Sequence, residues 1–231
     1  MNPVNFSSNY DNAYYESRTY TDLEPYLKQL FARHLLQDTR RALDVGCGIG
    51  VYCRFLQSQG VETSGIDISK EGTRRSRQNR ASATHIPFRD DAFDLVVAAH
   101  VIEHLTPPAI KEFLREIARV LNRDGRLFLL TPNLFDLSRL VLRKRWMPDP
   151  THLTMFHPFS LASLMRDNFT EVHFVFKIPF TSNNLPNGAV KCSGNFHGEQ
   201  SKLLNLALFA FTATPFAYLR RVTHMVATVN K

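Results

Sequence analysis

The run Asp44-Val45-Gly46-Cys47-Gly48-Ile49-Gly50, DVGCGIG, decides the fold. It follows a short apolar stretch, Ala42–Val45, and precedes an amphipathic one, Val51–Gln59. Strand, glycine turn and helix in that order is the context that gives a glycine fingerprint its meaning. Gly46 and Gly48 carry no Cβ, so the main chain there is free to turn sharply and to approach a ligand closely. Gly50 is expected to let the helix pack tightly on the strand. A second strand is expected over Val61–Ile68. It ends in GIDIS, which places Asp67 roughly twenty residues after the turn, where a carboxylate accepts from both hydroxyls of a ribose.

Working outward, Thr21 and Glu24 read as a capping box, and Leu23, Leu27, Leu30, Phe31 and Leu35 follow at helical spacing. This predicts an amphipathic helix ending near Asp38. After the second strand, Ser69 is expected to cap an arginine-rich helix, and a third short strand is expected around Ala81–Ile86. Phe93–Ala98 is a nearly continuous apolar run, as in a central strand buried on both faces of a parallel sheet. Thr106 with Pro107 and Pro108 opens a helix whose Ile110, Phe113, Leu114, Ile117, Val120 and Leu121 form one stripe. A turn is read at Asn122–Gly125 and a fifth strand at Arg126–Thr131. Repeated strand–helix alternation argues for a parallel sheet with helices on both faces.

Beyond residue 134 the periodicity weakens. Leu134–Phe159 mixes proline, acid, histidine and aromatic residues, which suits an insertion over the carboxyl ends of the strands. A helix from Ser160 to Asp167, a strand from Thr170 to Phe176 and a last strand from Val222 to Val229 complete the expectation. Leu203–Leu219 is the most apolar stretch, but Asn205, Thr212, Thr214 and Pro215 interrupt it. It reads as a packed helix, or as a peripheral membrane contact over 203–221 helped by Arg220 and Arg221.

The 231 residues, 44% of them apolar and 21% charged, suit one folded domain and speak against disorder, a collagen-like chain or a disulfide scaffold. Cys47, Cys53 and Cys192 include no CxxC pair, so neither a disulfide framework nor a zinc site is expected. The polar segment Met1–Tyr15 lacks the apolar core of a signal peptide, and a cytoplasmic location is expected. A net charge of +7 is compatible with an anionic partner. Arg74, Arg75, Arg77 and Arg80 form one local group, and Arg139, Arg143, Lys144 and Arg145 another. Both read either as solvated faces or as contacts to nucleic acid, membrane or phosphate.

LDVGCGIG, GIDIS, HIPFRDDAFDLVVAAHVIEHL and RVLNRDGRLFLLTPN, in this order over residues 40–133, resemble the class I S-adenosylmethionine-dependent methyltransferases. The resemblance implies an α/β, Rossmann-like, doubly wound and mostly parallel seven-stranded sheet with helices on both faces and an insertion after the fifth strand. It also implies S-adenosylmethionine as cofactor. Asp44, Gly46, Cys47 and Gly48 would surround the methionine part, Asp67 would bind the ribose, and Ile68 would pack on adenine. Many relatives hold the adenine amino group with an acid. Ser82 stands there in this chain, leaving Ser82, Ala83 and main-chain groups to that task, with Ala99 and His100 at the end of the fourth strand also facing the donor. A dinucleotide is a poorer match: the turn reads GCGIG rather than GxGxxG, and an acid such as Asp44 suits a sulfonium cation better than a pyrophosphate. The whole chain reads as a single domain, with an N-terminal helical segment 1–39, a donor-binding core 40–133, an acceptor-side insertion and sixth strand 134–200, and a C-terminal helix and strand 201–231.

Methyl transfer from a sulfonium chiefly requires alignment of the acceptor and exclusion of water. A hydroxyl or amine acceptor also benefits from a base, and His152, His100 and His104 are the candidates. DPTHLTMFHPFSL, Asp149–Leu161, resembles a segment that forms the acceptor pocket in related enzymes and brings His152 and His157 with it. Their alternative role is to fix the insertion by hydrogen bonds. On a starting helix, His100, Glu103 and His104 would share one face. Some relatives use a Glu-x-x-Glu-His version as a divalent metal site, but His100 replaces the first glutamate and no metal is expected. Tyr14, Tyr15 and Trp146 read as ordinary packing or as walls of the site. The acceptor is expected to be a small molecule, a saccharide or a lipid-linked intermediate, methylated on oxygen. RNA is the rival acceptor, although AAHVIEHL lacks the Asn/Asp-Pro-Pro-Tyr/Phe motif of base-amino methylation. A donor-binding domain without transfer activity is the non-enzymatic alternative.

Overall fold

The computed structural model describes residues 12–16, 22–134, 151–174 and 222–229. Chain order is α1 (Asn12–Glu16), α2 (Pro25–His34), β1 (Arg41–Val45), α3 (Val51–Ser58), β2 (Glu62–Asp67), α4 (Lys70–Ser76), β3 (Asn79–Arg80) and β4 (Phe93–Ala99). A short 3₁₀ turn (Ile102–His104) then leads to α5 (Pro107–Val120), β5 (Leu121–Pro132), α6 (Pro158–Met165), β6 (Glu171–Phe174) and β7 (Val222–Thr228). The seven strands lie in the order β3-β2-β1-β4-β5-β7-β6. Those from β1 to β5 are parallel, and β7 runs antiparallel to both β5 and β6.

The pleat sorts the central strands between two cores. Leu43, Val45, Val96, Ala98, Leu127 and Leu129 face α5 and α6, meeting Phe113, Leu114, Ile117, Leu161 and Met165. Ala42, Leu95, Val97, Phe128 and Leu130 face the opposite layer, where α2 and α3 contribute Leu27, Phe31, Phe55 and Leu56. This is why β4 is apolar at successive positions: each neighbour in sequence enters a different core. Phe31 packs edge-on against Phe128, ring centroids 4.9 Å apart. Burial of such a side chain contributes about 2–3 kcal/mol.

The two halves of the sheet wind away from β1 and β4, so their carboxyl ends flank the point where the connections diverge. Ligands of open α/β sheets bind at such a point. Asp94 ties the opposite end together. Its Oδ2 accepts from Arg40 N (2.8 Å) and Arg41 N (2.7 Å), and its Oδ1 from Asn122 Nδ2 (2.6 Å). Arg126 similarly caps the exit of α2, donating to His34 O (3.0 Å) and Gln37 O (2.6 Å).

Several boundaries differ from the expectation. The third strand is the pair Asn79–Arg80, while Ala81–Ile86 forms a turn in which Ser82 Oγ lies 2.9 Å from Thr84 Oγ1 and Ser82 bridges His85. Glu24 is itself the N-cap of α2 and makes no side-chain cap, because Pro25 takes the first helical position. A capping box with Thr21 would need Glu24 three residues into the helix. The turn Asn122–Gly125 is a bulge inside β5: Phe93 pairs with Leu121 but Leu95 with Arg126. Asp124 sits there at φ 61°, donating its N–H to Val229 O. The helix expected from Ser160 begins at Pro158, capped by His157. Residues 203–221, Trp146, Cys192 and the basic group from Arg139 to Arg145 lie outside the described residues. Among those described, no helix is long and apolar enough to cross a membrane.

Asp94→Ala removes three acceptor contacts at once. We expect it to lower unfolding free energy by about 2 kcal/mol, read in urea titrations as a lower midpoint at unchanged slope.

Candidate active site

The glycine turn is held by the strand beside it. Gly46 N and Cys47 N both donate to Ile66 O, at 2.8 and 3.0 Å. Gly46 adopts φ 73°, and a Cβ there would overlap Val101 Cγ2, so the turn admits no side chain at this point. Gly50 is left-handed as well, but the neighbour it approaches is Ser76 of α4 rather than the strand that the sequence pointed to. Asp67, mostly buried, accepts from Gly48 N through Oδ2 (2.8 Å) and from Ser69 N through Oδ1 (2.7 Å). Burial pushes its carboxyl above the usual range, and these N–H donors oppose the rise. A carboxylate offers about four lone-pair sites, so two main-chain bonds leave capacity for ribose hydroxyls. Ser69 caps α4 as expected, its Oγ accepting from Gly72 N at 3.0 Å.

Asp44 lies at the floor of the same turn and is 1% exposed. Its Oδ2 accepts from the Cys53 thiol at 3.4 Å. Among the described residues it has no basic ion-pair partner. Burial pushes its carboxyl from 3.8 up to about 7; the thiol hydrogen bond opposes the rise and the charge of Asp67 adds to it. A buried acid in this state is stabilised by a cation brought alongside.

Sequence reading left Tyr15 as ordinary packing or as a wall of the site. The structure lays it across the site: it is buried, its hydroxyl would sit 2.6 Å from a Cβ on Gly72, and its ring edge 3.6 Å from one on Gly48. Gly72 is thus where α4 makes room for α1. Burial, with the nearby Asp67 charge, drives the phenol well above its ordinary range, so it stays protonated. The Arg75 guanidinium lies 5.9 Å from the ring centroid. No pattern in sequence pairs Tyr15 with Gly72.

On the far side of Asp67, Ile68 is 45% exposed, an apolar side chain standing free at the strand end. Ser82 and Ala83, both partly buried, follow directly, with Ala81 N donating to Asp67 O at 3.0 Å. Ala99 closes β4 beside the glycine turn, since Val45 pairs with Ala98. The residues expected to bind the donor share one edge of the sheet, and their chemistry fits S-adenosylmethionine: a buried acid suits a sulfonium cation, a carboxylate can accept from ribose hydroxyls, and an exposed apolar side chain can pack on adenine.

The acceptor-side candidates divide. His100, at φ 58°, donates its N–H to Leu130 O and places Nδ1 3.1 Å from Glu103 Oε1. Glu103 is 1% exposed, and its Oε2 accepts from Thr131 Oγ1 at 3.0 Å. Burial favours its protonated form, but the hydrogen bond and charge of His100 and the charge of His104 outweigh this and hold the carboxyl below its usual range. His104 Nδ1 is 3.1 Å from Thr151 O, and its ring stands edge-on to His152 at 4.9 Å. The single-face helix expected for His100, Glu103 and His104 is a 3₁₀ turn. The group whose donor atoms converge, within 4.8 Å of one another, is Glu103, His104 and His152, without His100. Both Glu103 oxygens already take part in hydrogen bonds, with His100 and Thr131. His157 turns away to cap α6 through Ser160 N.

The fold is that of the class I S-adenosylmethionine-dependent methyltransferases. Residues 15–172 match the family model described as a methyltransferase domain, and the chain belongs to that family. It is 30% identical over 106 residues to the ubiquinone biosynthesis O-methyltransferase of Aeromonas salmonicida, covering 41% of this chain and 44% of that protein. It is 34% identical over 113 residues to the ajmaline N-methyltransferase of Rauvolfia serpentina, covering 43% and 38%. The chain spans about half or less of the length of these relatives. A crystal structure of an S-adenosylmethionine-dependent methyltransferase from Archaeoglobus fulgidus superposes with a TM-score of 0.64 at 20% identity, over 94% of this chain and all of that one.

Because the folded-state value of Asp44 is raised, its contribution to stability is complete below about pH 4. It declines as pH rises and is gone above about 7. Relative to Asp44→Asn without donor, the wild type is expected to lose up to about 1.4 kcal/mol per pH unit across that window. Denaturant melts of both proteins from pH 4 to 8 check this; parallel curves would refute it.

Proposed function

We propose that this chain is an S-adenosylmethionine-dependent methyltransferase acting on an oxygen of a small molecule, a saccharide or a lipid-linked intermediate. The observation that carries the reading is Asp44: an acid buried at the glycine turn, at the divergence of the sheet, with a thiol as its described partner. A sulfonium donor supplies the cation, and its bound methyl group is the electrophile. In this reading Asp44, Gly46, Cys47 and Gly48 enclose the methionine part, Asp67 holds the ribose, and Ile68, Ser82 and Ala83 receive adenine. Ala99 and His100 face the reacting methyl, and His100, His104 and His152 line the acceptor side. The relatives include both an O- and an N-methyltransferase; the preference for oxygen rests on the imidazoles, in place of an Asn/Asp-Pro-Pro-Tyr/Phe motif, after β4.

The arginine-rich helix carries less free charge than its sequence suggests. Arg74 and Arg75 are bound by Glu71 at 2.6 Å, and the Arg75 guanidinium also approaches Glu16 at 3.9 Å. Part of the arginine-rich helix is therefore neutralised by its own neighbours.

Calorimetry with S-adenosylmethionine and its demethylated product is expected to show binding that Asp67→Ala weakens by about ten- to a hundredfold, the value of charge-assisted hydrogen bonds. Absence of binding to either would overturn the reading. Incubation with methyl-labelled donor and a fractionated extract is expected to place label in small-molecule or lipid fractions as an ether or ester. Label confined to RNA would exclude this acceptor class.

A further inference from the structure

His100 occupies an unusual position for an ordinary packing residue. It stands one residue past β4, beside the glycine turn, which Val101 contacts at Gly46. Its backbone is left-handed at φ 58°, a conformation uncommon outside glycine, though histidine adopts it more readily than most residues. Its side chain is 50% exposed, yet Nδ1 is directed at a carboxylate that is 1% exposed. That carboxylate is fixed from several sides. Thr131 Oγ1 donates to Oε2, and the Glu103 main-chain carbonyl accepts from Leu153 N (2.8 Å) and Thr154 N (3.0 Å).

We propose that Glu103 is a positioning residue that locks His100 in one tautomer, making its Nε2 the proton acceptor of the methyl transfer; this rests on the function proposed above. An ionised carboxylate only accepts hydrogen bonds, so the contact at Oε1 requires a proton on Nδ1. In a neutral ring with Nδ1 protonated, Nε2 carries the lone pair. A free neutral imidazole has no such constraint. As the acceptor oxygen bonds to the methyl carbon and the carbon–sulfur bond breaks, the hydroxyl proton passes to Nε2. The sulfur leaves as a neutral thioether, and the imidazolium, now protonated on both nitrogens, is balanced by Glu103. Its half-exposed ring then returns the proton to water. The Thr151 carbonyl at His104 Nδ1 selects the same tautomer but brings no negative charge to that nitrogen, and the His104 ring stands edge-on to His152.

The tautomer is measurable without donor or acceptor. Long-range proton–nitrogen spectra of ring-labelled protein, with His100 assigned through His100→Gln, are expected to show Nδ1 protonated and Nε2 bare. Glu103→Ala is expected to shift the ring toward the Nε2-protonated form. Should that variant not fold by circular dichroism, Glu103→Gln keeps shape while removing charge. With the acceptor fraction that takes label, it is expected to lower kcat at least about tenfold with KM and donor affinity nearly unchanged. His100→Ala is expected to fall further, with partial recovery in free imidazole. An Nε2-protonated His100 in the wild type, or full kcat in Glu103→Gln, would overturn the proposal. Failure of donor binding in calorimetry would instead overturn the functional reading and leave the tautomer measurement standing.

Discussion

The carbonyl of Ile66 accepts two N–H groups from the turn that follows β1, and Asp67, the next residue, accepts a third from Gly48. Three bonds from the last residues of β2 therefore hold DVGCGIG in a shape that only glycines at the left-handed positions permit. Everything on the donor side follows from that clamp. It lowers the start of α3 onto the sheet, seats Asp44 beneath the turn, and leaves the Asp67 carboxylate bridging the starts of two helices through Gly48 and Ser69. Tyr15 closes over the same place because Gly72 has no side chain to keep it out.

The strand–turn–helix unit around Gly46–Gly50 was legible in sequence because its determinants are local. A buried parallel strand needs apolar residues on both faces, a tight turn needs glycine, and the acid at the end of the next strand needs a fixed separation. Those demands fall on short segments, and Ala42–Val45, Gly46–Gly50 and Gly65–Ser69 meet them in order. Expectation failed where tertiary pairing decided the outcome. β3 is two exposed residues, Asn79 and Arg80, made a strand by pairing with Ile66 and Asp67. The more apolar Ala81–Ile86 turns, because Ser82, Thr84 and His85 bond one another, and Arg119 and Glu116 of α5 reach across to Ile86 and Phe88.

The acceptor half shows the same limit more sharply. Residue types were readable: His100, Glu103, His104 and His152 were all marked by sequence. Their partnerships were not, since spacing alone places the first three on one helical face. A left-handed His100 breaks that face before it forms, sending its ring to one side of Glu103 while His104 turns toward Thr151 and His152. The contact between His104 and His152 spans 48 positions in the chain, and the bonds that create it run from the main chain of Leu153 and Thr154 to Glu103. No local pattern encodes such a closure.

Three carboxylates, the buried Asp44 and Glu103 and the partly buried Asp67, stand along the edge where the strands end, and desolvation acts on all of them in the same direction. What differs is compensation. Glu103 has an imidazole and a hydroxyl and ends below its ordinary range. Asp67 has main-chain N–H groups, which offset burial in part. Asp44 has a thiol, the weakest donor of the set, and rises to about 7. The edge is therefore graded, with its least compensated negative charge under the glycine turn and its most compensated next to the candidate base. A ligand carrying positive charge gains most at Asp44. A hydroxyl losing its proton is served best beside His100, where the counter-charge is already in place. In the function proposed above, a cationic donor and an acceptor that sheds a proton would meet the differently compensated ends of this edge.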